Sequence, residues 1–498
     1  MPFKMKNCRF KLLLLAQFIS LMAFAQNQQI RFERIGTKEG LSDPNALCVS
    51  QDSRGFIWIG TRNGLNRYDG HQFRVFYNNP ADSGSISSNY IQKIIEDSKG
   101  NIWIATAGGG LNKFDRETNR FSQFTHDPNN SNSLAGNIIN NIIEDNTGKL
   151  WIATNDGINL FDPEKKHFMR FSHDKNNPTT VSDNNITDVL KDSKGDIWFG
   201  TQNGGLNRFL VKDSTFINYQ ADPKNSEAIS GNSIYTIFED SRHRLWIGTT
   251  GEGLNLLNRE TGKFRQFKHA VGANSLSNNN VLSINEDNNG NLLIGTENGG
   301  ISLLDSTLQK FGNYVNDEID DNSLSSNSVH SITKDKDGNI WVGVFAGGIN
   351  LYKNSTASFN HFKHNSSPTS LSNNFVLGIY EDRSDNLWVG TDGGGLNCFN
   401  QKTGTSYLYK QIPTQNSITG NSILTLTEDS KENLWIGTWG NGLSKLNLKT
   451  KKFTNLKSDN QNLGLSSNNI YSITVSRDGK IWIGTFGGGL YIYDDQSN

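Results

Sequence analysis

The side chains best suited to chemistry in this chain follow a recurring Gly-Thr step or a variant of it, and they differ from one copy to the next. They are Arg62, Asn63, Asp156, Glu252, Glu297, Phe345, Trp439 and Phe486. Each lies in a short connection between two apolar runs, where variation costs a fold little. Aromatic rings beside a guanidinium, an amide and carboxylates suit a saccharide, because sugar rings offer apolar C–H faces and hydroxyl edges at once. These eight are the candidate ligand-binding residues. Trp439 is the most telling. Trp58, Trp103, Trp151, Trp198, Trp246, Trp341, Trp388, Trp435 and Trp482 keep one register, with Leu293 in the missing place, and Trp439 alone lies off it. Its competing role is packing against a neighbouring blade or domain.

Other patterns carry less chemistry. Gly108-Gly109-Gly110 and Gly393-Gly394-Gly395 precede strands, whereas a phosphate-binding glycine loop opens a helix, so they read as turns. His361 and His364 stand three apart on an extended run, face opposite sides and lack a third ligand, which reads as solvated histidines. Asp320-Asp321 reads as a solvated turn. Cys48 and Cys398 fall at unrelated places in the pattern and read as unpaired thiols. No catalytic residue, metal ligand or cofactor is assigned.

The elements that position the candidates repeat. Units open at Leu41, Ile86, Leu134, Val181, Ile229, Leu276, Leu324, Leu371, Ile418 and Leu465, a period of about 47 residues. In the fifth, Ser233–Asp240 is β-branched and aromatic, and Leu245–Thr249 is a short apolar run. Thr250–Gly253 is a tight glycine turn, Leu254–Leu257 a third strand and Lys263–Lys268 a fourth. Four short antiparallel strands with turns between them make a β-propeller blade. No window keeps the helical apolar spacing, and a stacked β-solenoid lacks this four-strand meander. The Asp that closes the first strand, such as Asp97 or Asp240, is expected to accept hydrogen bonds from the turn after it.

Residues 1–25 carry Lys4, Lys6, Arg9 and Lys11, an apolar run from Leu12 to Phe24 and a small-residue site ending at Ala25. This is expected to be a signal peptide cleaved after Ala25, delivering the rest outside the cytoplasm. No later stretch is long and apolar enough to span a membrane. With 34% hydrophobic residues and a formal net charge of −1 without long runs of one sign, the chain shows no nucleic-acid footprint.

Propellers hold four to eight blades, so ten repeats divide naturally into seven and three. Residues 30–35 match the fourth-strand pattern, and Phe32 and Ile35 repeat the spacing of Phe264 and Phe267. They are expected to complete the seventh blade, giving a seven-bladed propeller over 26–354 and three blades of a second, incomplete one over 355–498. Ser358–His364 would then be the opening outer strand of the second. A single ten-bladed ring is the alternative.

The run from Leu371 to Asn400, and that from Ile86 to Asp115, show nearly whole the unit L-S-x-N-x-V-x-x-I-x-E-D-x-x-G-x-L-W-I-G-T-x-x-G-G-L-N-x-F-D. This unit resembles the two-component regulator propeller repeat, found in the periplasmic sensor regions of hybrid histidine kinases. The resemblance implies a non-catalytic sensor of an oligosaccharide ligand, belonging to a parent histidine kinase whose catalytic modules are absent from this stretch. The partners it implies are the oligosaccharide and either a second copy or the missing C-terminal sensor and kinase region. A secreted propeller scaffold for protein interaction is the alternative, and a propeller lyase or hydrolase a more distant one.

Overall fold

Alternation of apolar and polar residues, broken by Gly and Asn turns, produces the strands that the fifth repeat announces: Ile234–Glu239, Leu245–Thr249, Leu254–Asn258 and Lys263–Phe267. They pair in chain order as one antiparallel sheet. The computed structural model describes residues 30–272, 274–354, 362–365, 367–400, 403, 405–458 and 465–494. Among these, nine sheets have four strands and the tenth has three. The signal peptide expected over 1–25 lies outside the described residues, as does most of the strand expected over Ser358–His364.

Three recurring side-chain devices hold a blade. The second strand is buried on both faces, as in Leu245–Thr249. The Asp before it locks the turn: Asp240 accepts from the backbone N–H of Arg242 and Arg244 and from the indole N–H of Trp246. The Thr that ends the strand donates to the carbonyl closing the next turn, as Thr249 does to Gly253. Gly253 itself has φ +84°, and a Cβ there would sit 2.3 Å from the Phe267 carbonyl oxygen, so the glycine serves the turn. A buried amide then ties the third strand to the start of the blade: Asn255 accepts from the N–H of Ser230 and donates to its hydroxyl.

The chain forms two compact units, residues 1–356 and 357–498. The first contains seven sheets, and the inner strand of each lies against that of the next. The first inner strand, Ala46–Gln51, lies against the seventh, Val329–Lys334, which closes the ring. That seam buries Ile35, Leu41, Val49, Ile59, Trp341 and Ile349 together. The fourth strand of the seventh sheet is Glu33–Ile35, paired antiparallel to Gly348–Tyr352 with Arg34 opposite Asn350. Phe32 and Ile35 are buried, and the Arg34 guanidinium donates to the carbonyls of Asp320, Ser323 and Leu324. Burying each apolar side chain contributes about 2 kcal/mol, so the beginning of the chain fastens its far side.

Neighbouring blades are also stapled by charge. Glu96 accepts from the N–H and hydroxyl of Ser53 in the preceding blade, and Glu144, Glu239 and Glu286 repeat the contact with Ser98, Ser193 and Ser241. Arg116 spans Asp52 and Glu96 at 2.8 and 2.6 Å, and Arg259 spans Asp192 and Glu239 in the same way. Close approach between blades explains the glycine of the second strand. A Cβ on Gly248 would lie 2.6 Å from Val281 of the next blade.

The second unit holds three sheets, with cores around Trp388 and Trp435. Its first inner strand, Val376–Glu381, leaves Leu377 and Ile379 exposed, and the third strand of its last sheet, Gly489–Tyr493, leaves Leu490 and Ile492 exposed.

Candidate functional site

In every repeat, the residue that opens the turn after the second strand donates its N–H to the carbonyl just before the first strand. Arg62 donates to Asn45, Gln202 to Asn185, Thr250 to Ser233, Glu297 to Asn280 and Phe345 to Ser328. These hydrogen bonds bring the variable turns and the approaches to the inner strands to the same end of each blade. In the first unit the ring therefore gathers seven such turns at one end. The Thr clamp holds six of them. Val344 replaces the threonine in the seventh, and there Ser325 donates to the Gly347 carbonyl while the N–H of Ala346 reaches Asn45.

Across the closing seam the turns meet. The Arg62 guanidinium lies 5.2 Å from the centre of the Phe345 ring. It has no hydrogen-bond acceptor among the described residues. The ring of His330, on the seventh inner strand, is 6.3 Å from Phe345 at 49°. Burial holds the His330 imidazole below its ordinary value, Arg62 pushes it the same way, and Glu297 opposes both. Glu297 accepts from the Asn280 amide at 2.8 Å. Tyr235, on the fifth inner strand, keeps 41% of its surface accessible. Its hydroxyl is nonetheless pushed up by burial first, then by Tyr90, Asp188 and Glu297. Accessible surface together with strong desolvation marks a side chain in concave surroundings, with groups from the second, fourth and sixth blades in electrostatic reach.

The structure thus sets Arg62 against Phe345 beside His330, with Glu297 in electrostatic reach of His330, and Tyr235 in reach of Glu297 and Tyr90; His330, Tyr235 and Tyr90 are additions to the sequence candidates. Sequence reasoning missed these three because it looked only at the turns. The signal was present in the inner strands: Tyr235 and His330 occupy the position that holds Leu47, Gln92 and Asn140 in other blades. The remaining candidates separate. Asn63 accepts from the amide of Asn89. Asp156 is exposed, with its N–H bound to the Thr154 hydroxyl. Glu252 pairs with Lys268, just past the outer strand of its own blade, at 2.7 Å. Trp439 and Phe486 belong to the second unit, where they lie 5.6 Å apart at 50° and remain 46% and 63% exposed. His361 lies outside the described residues. The Nδ1 of His364 lies 2.6 Å from the carbonyl oxygen of Leu371, a contact repeated by His126, His173 and His269 with the residues that open their repeats.

Among the described residues no group of acidic, His or Cys side chains is arranged to hold a metal ion. Both thiols are buried and free, Cys48 pushed up by burial to about 12 and Cys398 to about 11. No helix of the described residues is long and apolar enough to cross a membrane.

Four-stranded antiparallel blades, with their variable turns gathered at one end, define a β-propeller. The comparisons narrow the class. Ten segments, 40–63, 85–108, 133–156, 180–203, 228–251, 275–298, 323–346, 370–393, 417–440 and 464–487, match the two-component regulator propeller repeat, and the chain belongs to that family. It is similar to the extracellular domain of the hybrid two component system BT3049 from B. thetaiotaomicron, at 28% identity and TM-score 0.71, covering 94% of this chain and 66% of that one. The extracellular domain of BT4673 from B. thetaiotaomicron shares the fold at 21% identity and TM-score 0.54, over 95% of this chain and 74% of that one. A histidine kinase of Formosa agariphila is 40% identical over 83 residues, which are 17% of this chain and 6% of the kinase. The chain therefore spans less than two thirds of the length of the first of these structures and a small part of the kinase. It is a sensor propeller region of the two-component type, of the kind that stands outside the cytoplasm.

Proposed function

We propose that this chain is the periplasmic, non-catalytic ligand-sensing region of a two-component histidine kinase, exported by a signal peptide cleaved after Ala25, and that its ligand is an oligosaccharide. On this reading residues 26–354 are a seven-bladed propeller fastened by strand 30–35, and residues 355–498 are three blades of a second propeller. The observation that carries the ligand assignment is the Arg62 guanidinium, unpartnered and stacked on Phe345 beside His330 and Glu297. A guanidinium with free N–H groups, a ring face and a carboxylate within one concave patch can bind hydroxyl edges and a C–H face together. Trp439 with Phe486 supplies a second aromatic patch, on the other unit. Titrating the folded full chain with a panel of oligosaccharides in a calorimeter tests the proposal. Binding to at least one, weakened by Phe345→Ala and by Arg62→Gln, supports it. Silence across the panel from a folded protein sinks it.

A scaffold role is the second reading, favoured by the apolar side chains Phe375, Ile379, Leu490 and Ile492 that the second unit leaves exposed. Light scattering separates the two, because a monomer over a wide concentration range removes the support that self-association would give the scaffold.

A further inference from the structure

The third and fourth strands of the first blade, Gly64–Tyr68 and Phe73–Phe76, place Arg67 directly opposite Arg74. Among the described residues no other blade does this. The corresponding cross-strand pairs are Lys113 with Ser122, Leu160 with Met169 and Arg208 with Ile217. Like charges directly opposite on a sheet oppose its pairing, so the repulsion between the two arginines costs stability.

Both guanidinium planes are braced. Arg67 lies 4.6 Å from the centre of the Phe56 ring and 6.0 Å from that of Trp58, and Arg74 lies 5.2 Å from that of Phe76. A stacked guanidinium keeps its rim of N–H donors in a fixed plane, ready for a two-point contact with an oxyanion. In three other stacked arginines that rim is used within the protein. Arg208 and Arg244, each on a tryptophan, donate to Asp196 and Asp240, and Arg265, on Phe267, donates to the Leu308 carbonyl. Arg67 and Arg74 have no hydrogen-bond acceptor among the described residues. One oxygen of Asp69, the carboxylate of the hairpin, accepts the N–H groups of His71 and Gln72. Burial first, and then the Arg74 charge, hold Arg67 below its usual value, with Asp52 and Asp69 opposing them in part. The two arginines also line a hollow of about 490 Å³ together with Phe73, Val75, Gln72 and the Asp69 carboxylate.

We infer that this hollow on the rim of the first blade is a binding site for an oxyanion group, sulfate, phosphate or carboxylate, held between Arg67 and Arg74. The volume is that of a small-molecule site, so the oxyanion can be one substituent of a larger ligand whose apolar part rests on Phe73 and Val75. The site lies on the outer strands and stands or falls independently of the cluster around Phe345.

Phenylglyoxal labelling of arginines, read by peptide mass spectrometry on the full chain, tests the site residue by residue. Labelling is compared in sodium sulfate and in sodium chloride at matched ionic strength. Sulfate is expected to slow the modification of Arg67 and Arg74 several-fold and to leave Arg265 unaffected. In Arg74→Gln protein, sulfate should no longer protect Arg67. The same substitution should leave the melting temperature in low salt unchanged or raised, because a like-charge contact is removed. Repeating the labelling in acetate and phosphate shows which oxyanion geometry is preferred. Equal labelling of Arg67 in sulfate and chloride overturns the proposal, as does undiminished protection of Arg67 in the Arg74→Gln protein. If that variant fails to fold, the wild-type comparison still decides.

Discussion

Replacing Asp97 with alanine isolates the device that recurs most often in this chain. One carboxylate oxygen of Asp97 accepts the backbone N–H groups of Lys99 and Asn101 at 3.0 and 2.8 Å, and the other accepts the indole N–H of Trp103 at 2.8 Å. Trp103 is 1% exposed, so its N–H has no route to water once the carboxylate is gone. Stranding a buried donor that had bonded to a charged group costs about 2 kcal/mol, and the turn N–H groups, which can be rehydrated, add about 1 kcal/mol. The Asp97→Ala protein should therefore be less stable by about 3 kcal/mol. In a Trp103→Phe background the same substitution should cost only about 1 kcal/mol, a coupling of about 2 kcal/mol. The sixth blade is a natural control. Leu293 stands where the indole would be, and Asp287 receives only the backbone N–H groups and the Asn291 amide, so Asp287→Ala should resemble the uncoupled case. Urea unfolding followed by circular dichroism, for the two single variants, the double variant and Asp287→Ala, gives all four values. A coupling near zero, or an Asp287→Ala cost equal to that of Asp97→Ala, refutes the reasoning.

Other outcomes follow from the same geometry. Because burial and Arg62 hold His330 below its ordinary value near 6.5, its imidazole is neutral in the fold. It contributes stability that is full above that value and is lost as pH falls below it, when the unfolded chain takes up the proton first. An NMR titration should show the His330 midpoint moving up in Arg62→Gln and further down in Glu297→Gln. Cys48 and Cys398, pushed up to about 12 and 11, should resist a thiol reagent at pH 8 in the native protein and react at once in denaturant. Phe32→Ala, which empties a buried site against Leu293, Ile301 and Leu324, should cost about 3 kcal/mol in urea unfolding and loosen the packing between the sixth sheet and the seventh.

Much of the fold was legible because a propeller repeats its physics in its residues. The Trp register, the Asp before it and the Gly-Thr step each answer a local demand, so their positions gave the strands of the fifth repeat to within a residue or two. Two devices escaped notice. The indole N–H finds the Asp carboxylate six residues earlier, and the buried Asn255 pairs with Ser230; both are contacts across the blade that spacing alone does not reveal. The site was less legible for a physical reason. A turn residue can point along the axis or away from it, and only the ring decides which, so Phe345 and Arg62 meet while Glu252 turns out towards Lys268. His330 and Tyr235 stayed hidden because in a sheet pattern they read as ordinary strand residues.

The most direct measurement is a crystal structure of the full chain soaked with an oligosaccharide that gives heat in the calorimeter. Density for a sugar ring against Phe345, with its hydroxyls on Arg62 and Glu297, is the predicted result. A saccharide bound elsewhere, with the Phe345 cluster empty, would contradict the account.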